Sequence, residues 1–122
     1  MKKYFINLAE HKFKIAIING PNINMIGTRE TDIYGNKNFE SFFLQLTQKY
    51  PTLNFNHFQS NIEGELVTKI QEFGLTCNGI ILNAAAYTHT SVAIRDAIAA
   101  ITIPVVEVHI SNIFARENFR HT

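Results

Sequence analysis

The sequence lacks most of the features that would settle a function at a glance. Its single cysteine, Cys77, leaves no internal disulfide and no thiolate cluster for zinc. That usage fits a reducing compartment, and a cytoplasmic location is expected. Charge of one sign is also lacking: 11 Lys and Arg meet 10 Asp and Glu, a formal +1. Such a balance argues against tracking a nucleic-acid backbone or lying on an anionic membrane. No run reaches the roughly 18–20 apolar residues that cross a bilayer. The opening Met1-Lys2-Lys3-Tyr4-Phe5-Ile6-Asn7-Leu8 begins like a leader, but Asn7, Glu10, His11 and Lys12 end its apolar stretch too early for a signal peptide. Familiar nucleotide signatures are missing as well. Gly20-Pro21-Asn22-Ile23-Asn24 is neither a G-x-G-x-x-G turn nor a P-loop. No histidine pair has the i, i+4 spacing of a helical metal site, so metal catalysis is not expected.

What is present is an ordinary globular composition, 46% hydrophobic and 17% charged over 122 residues. One domain over residues 14–122 is expected, preceded by an extension over residues 1–13. Four short apolar runs read as strands: Lys14 to Asn19, Leu53 to Gln59, Gly79 to Asn83, and Pro104 to His109. The first, third and fourth are nearly continuous in Ile, Val and Leu, the pattern of parallel strands covered on both faces. Between them the period changes. Phe39, Phe42, Phe43, Leu46 and Tyr50 predict a core-facing helix that Asn38 caps and Pro51 closes. Ser60 with Glu63 reads as a capping box before Leu66, Val67, Ile70 and Phe73, and Gly74 as the stop of that helix. Ser91 to Ile101 is apolar almost all round and predicts a helix sandwiched on both sides. Strands alternating with helices specify a doubly wound, three-layer α/β fold.

In such a sheet, ligands bind beyond the carboxyl ends of the strands. Those ends carry Gly20-Pro21-Asn22, Gln59-Ser60-Asn61, Asn83, and His109 with Ser111-Asn112. The connection Gly20 to Lys37 is far longer than the usual 2 to 6 residues and brings Arg29 and Tyr34 to the same edge, where they could close as a lid.

Three blocks carry a family resemblance. The first is Ile18-Asn19-Gly20-Pro21-Asn22-Ile23-Asn24 with Gly27-Thr28-Arg29-Glu30 and Tyr34-Gly35. The second is Asn83-Ala84-Ala85-Ala86-Tyr87-Thr88-His89-Thr90-Ser91 with Arg95-Asp96-Ala97. The third is Glu107-Val108-His109-Ile110-Ser111-Asn112 with Ala115-Arg116-Glu117 and Phe119-Arg120. Together with Phe58-Gln59-Ser60-Asn61 and Glu63-Gly64-Glu65, these resemble the type II 3-dehydroquinate dehydratases from about Lys14 to Thr122.

The resemblance implies a flavodoxin-like fold and a cofactor-free, metal-free lyase. Such an enzyme removes water from 3-dehydroquinate by anti elimination through an enolate, in the shikimate pathway. It implies Tyr34 as the base, Arg29 as the cation beside it and His109 as the proton donor to the leaving hydroxyl. Asn22 would hold a water at the enolate oxygen. Asn83, His89, Ile110, Ser111 and Arg120 would bind the substrate. Asp96 would reach a neighbouring subunit, because the family assembles trimers into homododecamers.

Taken singly, these residues also have structural uses: Tyr34 as a packed loop aromatic, Arg29 as a solvated charge, His109 as a hydrogen-bonded strand-end histidine, and Asn22 and Asn83 as turn formers. Glu107 reads as a partner for another side chain within a buried strand. His11, His57 and His121 have no placement that favours function. Two departures from the family stand out. Its fold continues with a fifth strand and a last helix absent from this chain, so the strand ending at His109 is expected at an uncovered edge. Ala84-Ala85-Ala86 occupies positions where many relatives have glycine and should restrict the backbone there. A catalytically silent module of the same fold is the alternative reading, and a flavin-binding protein a third.

Overall fold

Parallel strands buried on both faces must carry apolar side chains on both, and the two runs richest in Ile, Leu and Ala lie innermost. The computed structural model describes residues 12–25 and 39–109. Within them β1 (Phe13–Asn19), β2 (Leu53–Gln59), β3 (Gly79–Asn83) and β4 (Val105–Glu107) form one parallel sheet in the order β2-β1-β3-β4. The connecting helices are α1 (Phe39–Lys49), α2 (Glu63–Thr76) and α3 (Val92–Ala100). Strand order reverses between β1 and β3, as the doubly wound α/β reading requires.

Side-chain periods set the core. Ala16 and Ile18 of β1 and Ile80 and Leu82 of β3 alternate onto the face covered by α2 and α3. Leu66 and Ile70, and then Ile94 and Ala97, meet them at helical spacing. Ile18, Leu66, Ile70, Ile80 and Leu82 are the largest fully buried side chains. Truncating any one to Ala would cost about 2–5 kcal/mol.

The periphery corrects several expectations. α1 is not core-facing: none of its residues is buried and Phe42 is 49% exposed. It rests on β2, the outer strand, through Phe43 against Phe55 and Phe39 against His57. β4 is shorter than expected and is not covered on both faces. Glu107 is exposed rather than buried, and Val106 is 58% exposed, because β4 has only β3 as a neighbour among the described residues. α3 is not sandwiched among the described residues. Ile94 and Ala97 face the core while Val92 is 65% exposed.

Helix ends follow their local chemistry. Ser91 caps α3, its Oγ accepting from the Ile94 N–H (2.9 Å). At α2 the expected Ser60–Glu63 box does not form. The chain turns helical only after Ile62, so Ser60 Oγ accepts from the Ile62 N–H (2.9 Å) and donates to Glu65. Nor does Gly74 end α2, which runs two residues further to Thr76. Gly74 instead permits a close approach, since a Cβ there would lie 2.4 Å from Ile101 Cγ2 and 2.9 Å from Ile101 Cβ. Among the described residues no helix is long and apolar enough to cross a membrane.

Alanine is the better helix former by about 1 kcal/mol, yet Gly74→Ala should lower stability by about 1–2 kcal/mol through this overlap. Urea unfolding measures it; an unchanged or raised midpoint would mean that Ile101 yields.

Candidate active site

Where parallel strands stop together, their last peptide groups need partners beyond the ladder. The Ser60 N–H donates to the Asn19 carbonyl (3.1 Å) and the Gly20 N–H to the Asn83 carbonyl (2.7 Å), tying the exits of β1, β2 and β3 to one another. Glycine is required at position 20, because a Cβ would lie 2.5 Å from the Ala84 carbonyl oxygen.

Beyond Gly20 the chain passes through Asn22 at φ 69° into a short 3-10 turn, Ile23–Met25. Asparagine tolerates this left-handed conformation. The Asn22 N–H donates to Asn61 Oδ1 (3.0 Å), and Gln59 Nε2 donates to Asn61 Oδ1 (3.2 Å), Asn24 Oδ1 (3.3 Å) and the Gly20 carbonyl (3.1 Å). On the β3 side, Asn83 Oδ1 accepts from the Ala85 N–H (3.2 Å), turning the chain into the 3-10 turn Ala85–Thr88. Ala85 sits at φ 54°, where a methyl-bearing residue is strained by about 1–2 kcal/mol. The restriction expected of the alanine run therefore falls on this residue.

β4 completes the edge. Its ladder runs one residue past the strand, with the Val108 N–H donating to the Leu82 carbonyl (2.9 Å), and delivers an exposed His109 at the exit. Strands lie about 4.8 Å apart, so the exits of β1, β3 and β4 span roughly 10 Å, the scale of a small-molecule ligand. Among the described residues no Lys or Arg stands at these exits, and no group of three or more His, Cys, Asp or Glu could hold a metal ion.

Among the described residues these exits carry carboxamides and the His109 imidazole, with His89 on the turn after β3. The family model described as Dehydroquinase class II matches residues 13–122. The chain belongs to the class II dehydroquinase family. Similar relatives are the 3-dehydroquinate dehydratases of Campylobacter lari and Sulfurimonas denitrificans. Each is 58% identical over 109 residues, covering 88% of this chain and 68% of the relative. The crystal structure of the type II dehydroquinase from Butyrivibrio crossotus superposes with a TM-score of 0.83 at 46% identity, over 90% of this chain and 79% of that one. A 3-dehydroquinate dehydratase-like protein from Bifidobacterium longum gives 0.61 at 27% identity, over 82% and 73%. Membership of the class II dehydroquinases makes the protein a hydro-lyase on the flavodoxin-like fold.

Asn22, Asn83 and His109, selected from the sequence, come together on three neighbouring exits. His89 follows on the part-buried turn after β3. Asp96 stands apart from them, exposed on the second turn of α3. Tyr34, Arg29, Ile110, Ser111 and Arg120 lie outside the described residues. Gln59 and Asn61 stand at the β2 exit without a role assigned from the sequence, and the sequence offers no functional placement for His57. The available signal was a cluster of carboxamides directly after a strand.

His57 does have a defined setting. Asn19 Nδ2 lies 3.0 Å from His57 Nε2, an arrangement that needs a neutral ring accepting the amide proton. The ring packs against Phe39, with centroids 4.3 Å apart. Burial there holds its pKa below the usual imidazole value.

As pH falls below about 6.5, the unfolded chain takes up this proton before the folded one, so stability should drop. Above that pH the group contributes no slope. His57→Gln keeps an acceptor for Asn19, and it should lose less stability than wild type between about pH 7.5 and 5.5. Equal losses in urea titrations at the two pH values would assign the slope to other groups.

Proposed function

We propose that this protein converts 3-dehydroquinate to 3-dehydroshikimate by anti elimination of water, in the shikimate pathway. The observation that carries the reading is the placement of Asn22, Asn83 and His109 on neighbouring strand exits within a class II dehydroquinase chain. The reaction needs a base for the proton next to the ketone, stabilisation of the enolate, and an acid for the departing hydroxyl.

Tyr34 is the base in this proposal. An unperturbed phenol with a pKa of about 10 is ionised only about one time in a thousand at neutral pH, so a cation beside it is required, and Arg29, the nearest candidate in sequence, supplies it. Asn22 holds the water that supports the enolate oxygen. His109 gives its proton to the leaving hydroxyl, which departs as water and leaves the conjugated enone. Asn83, His89, Ile110 and Ser111 bind the hydroxyls, and the Arg120 guanidinium takes the carboxylate. Asp96, exposed on α3, serves a neighbouring subunit of a trimer-based dodecamer. No cofactor or metal enters the scheme, and the enzyme works in the cytoplasm.

The test is the ultraviolet absorbance of the enone formed from 3-dehydroquinate in chelator-treated buffer. Growth of the band supports the reading; its absence with properly folded protein would favour a catalytically silent module.

Tyr34→Phe should nearly abolish turnover while leaving substrate affinity within about a few-fold, and adding Arg29→Ala should cost little more, as for groups acting as a unit. A Tyr34→Phe enzyme that kept most of its turnover would place the base elsewhere. His109→Ala should lower kcat far more than it raises KM, since proton donation matters in the transition state. A raised KM with unchanged kcat would make His109 a binding residue.

A further inference from the structure

The carboxamide at the β2 exit does more than close a turn. Among the described residues, Asn61 links the β2 exit to the exit of its neighbour β1 and, across it, to the turn that leaves β3. Its Oδ1 accepts from the Asn22 N–H (3.0 Å), on the β1 exit, and its backbone carbonyl accepts from Tyr87 Oη (3.1 Å), on the turn that leaves β3. Gln59 fixes which way the Asn61 amide faces. Its Nε2 donates to Asn61 Oδ1 (3.2 Å) and to the Gly20 carbonyl (3.1 Å), so Oδ1 is presented to the Asn22 N–H and the amide nitrogen is turned away. Asn22, at φ 69°, lies in the left-handed region, which asparagine tolerates but most of its conformers do not occupy, so the hydrogen bond to its N–H helps to select it.

The geometry points to Asn61 as a positioning residue for Asn22: with its backbone carbonyl held by Tyr87 and its carboxamide oriented by Gln59, Asn61 holds the left-handed Asn22 backbone and so fixes the place of the Asn22 side chain at the reaction centre. The inference rests on the proposed role of Asn22 in the dehydration. Asn61 touches no reacting atom. It acts through one peptide N–H, and its effect should vanish when the Asn22 side chain is removed.

The first readout does not depend on activity. Amide hydrogen exchange at Asn22 in the full-length chain should be roughly tenfold faster in Asn61→Ala than in wild type, the factor expected for the loss of one hydrogen bond. Asn61→Asp keeps an acceptor oxygen and should restore most of the protection. Unchanged exchange at Asn22 in Asn61→Ala would overturn the inference whether or not the protein dehydrates 3-dehydroquinate.

The second readout is a cycle on kcat. Asn61→Ala should lower kcat by roughly ten- to a hundredfold with KM within a few-fold, and less than twofold once Asn22→Ala is present. An equal loss in both backgrounds would make Asn61 a general structural residue and overturn the proposal. Should Asn61→Ala fail to fold, Tyr87→Phe removes only the brace and should lower kcat by roughly three- to tenfold, again only when Asn22 is intact. Full turnover in Asn22→Ala alone would refute the role given to Asn22, while the exchange measurement would still decide whether Asn61 holds its backbone.

Discussion

The contact between Gly20 and the backbone of Ala84 governs the arrangement of the strand exits. β1 and β3 are neighbours by ladder pairing, but pairing alone ends at Asn19 and Asn83. Past that point the two chains would be free to splay. They stay together because glycine offers no Cβ against the Ala84 carbonyl and its N–H reaches the Asn83 carbonyl. Both left-handed residues, Asn22 and Ala85, lie immediately downstream of this contact, one on each chain. Holding two peptide chains so close leaves each little choice of exit direction, and the strain at Ala85 follows from that.

Below the exits the sheet is unequal. One face is sealed by α2 and α3 over Ile18, Ile80 and Leu82, while on the other, among the described residues, α1 packs on β2. The better-buried face lies beneath β1 and β3, whose ends bear Asn22 and Asn83. The looser side lies beneath the outer strand, where His57 and Asn19 make a local polar bond among the rings of α1.

Much of this was legible in the residues. The continuous Ile-rich runs, the alternation of strand and helix, and the carboxamides after strands give the sheet and its reactive edge, because burial on two faces leaves a plain pattern. The family blocks carried the family membership. What escaped reading depended on distant partners. Gly74 looks like a helix stop until Ile101, from beyond α3, is seen to lie against it. Ser60 looks paired with Glu63 until the entry angle of α2 hands it Glu65. The phenylalanines of α1 have a faultless helical period, yet period says nothing about whether the surface beneath is a sheet centre or its rim. His57 was passed over for the same reason, since only the fold reveals that Asn19 faces it across the β1–β2 ladder.

The strand order also has a consequence for biogenesis. β1 emerges first from the ribosome, yet it sits at the middle of the sheet, and both of its partners, Leu53–Gln59 and Gly79–Asn83, are synthesised much later. Until then its Ala16-Ile17-Ile18 core has no parallel neighbour to pair with and cannot be buried as in the native state. Local helices can form early, but the sheet must wait for sequence-distant segments, the situation that slows folding and lengthens exposure of apolar backbone. The Ile-rich first strand of the nascent chain therefore stays without its native sheet partners until Leu53–Gln59 and Gly79–Asn83 have been made.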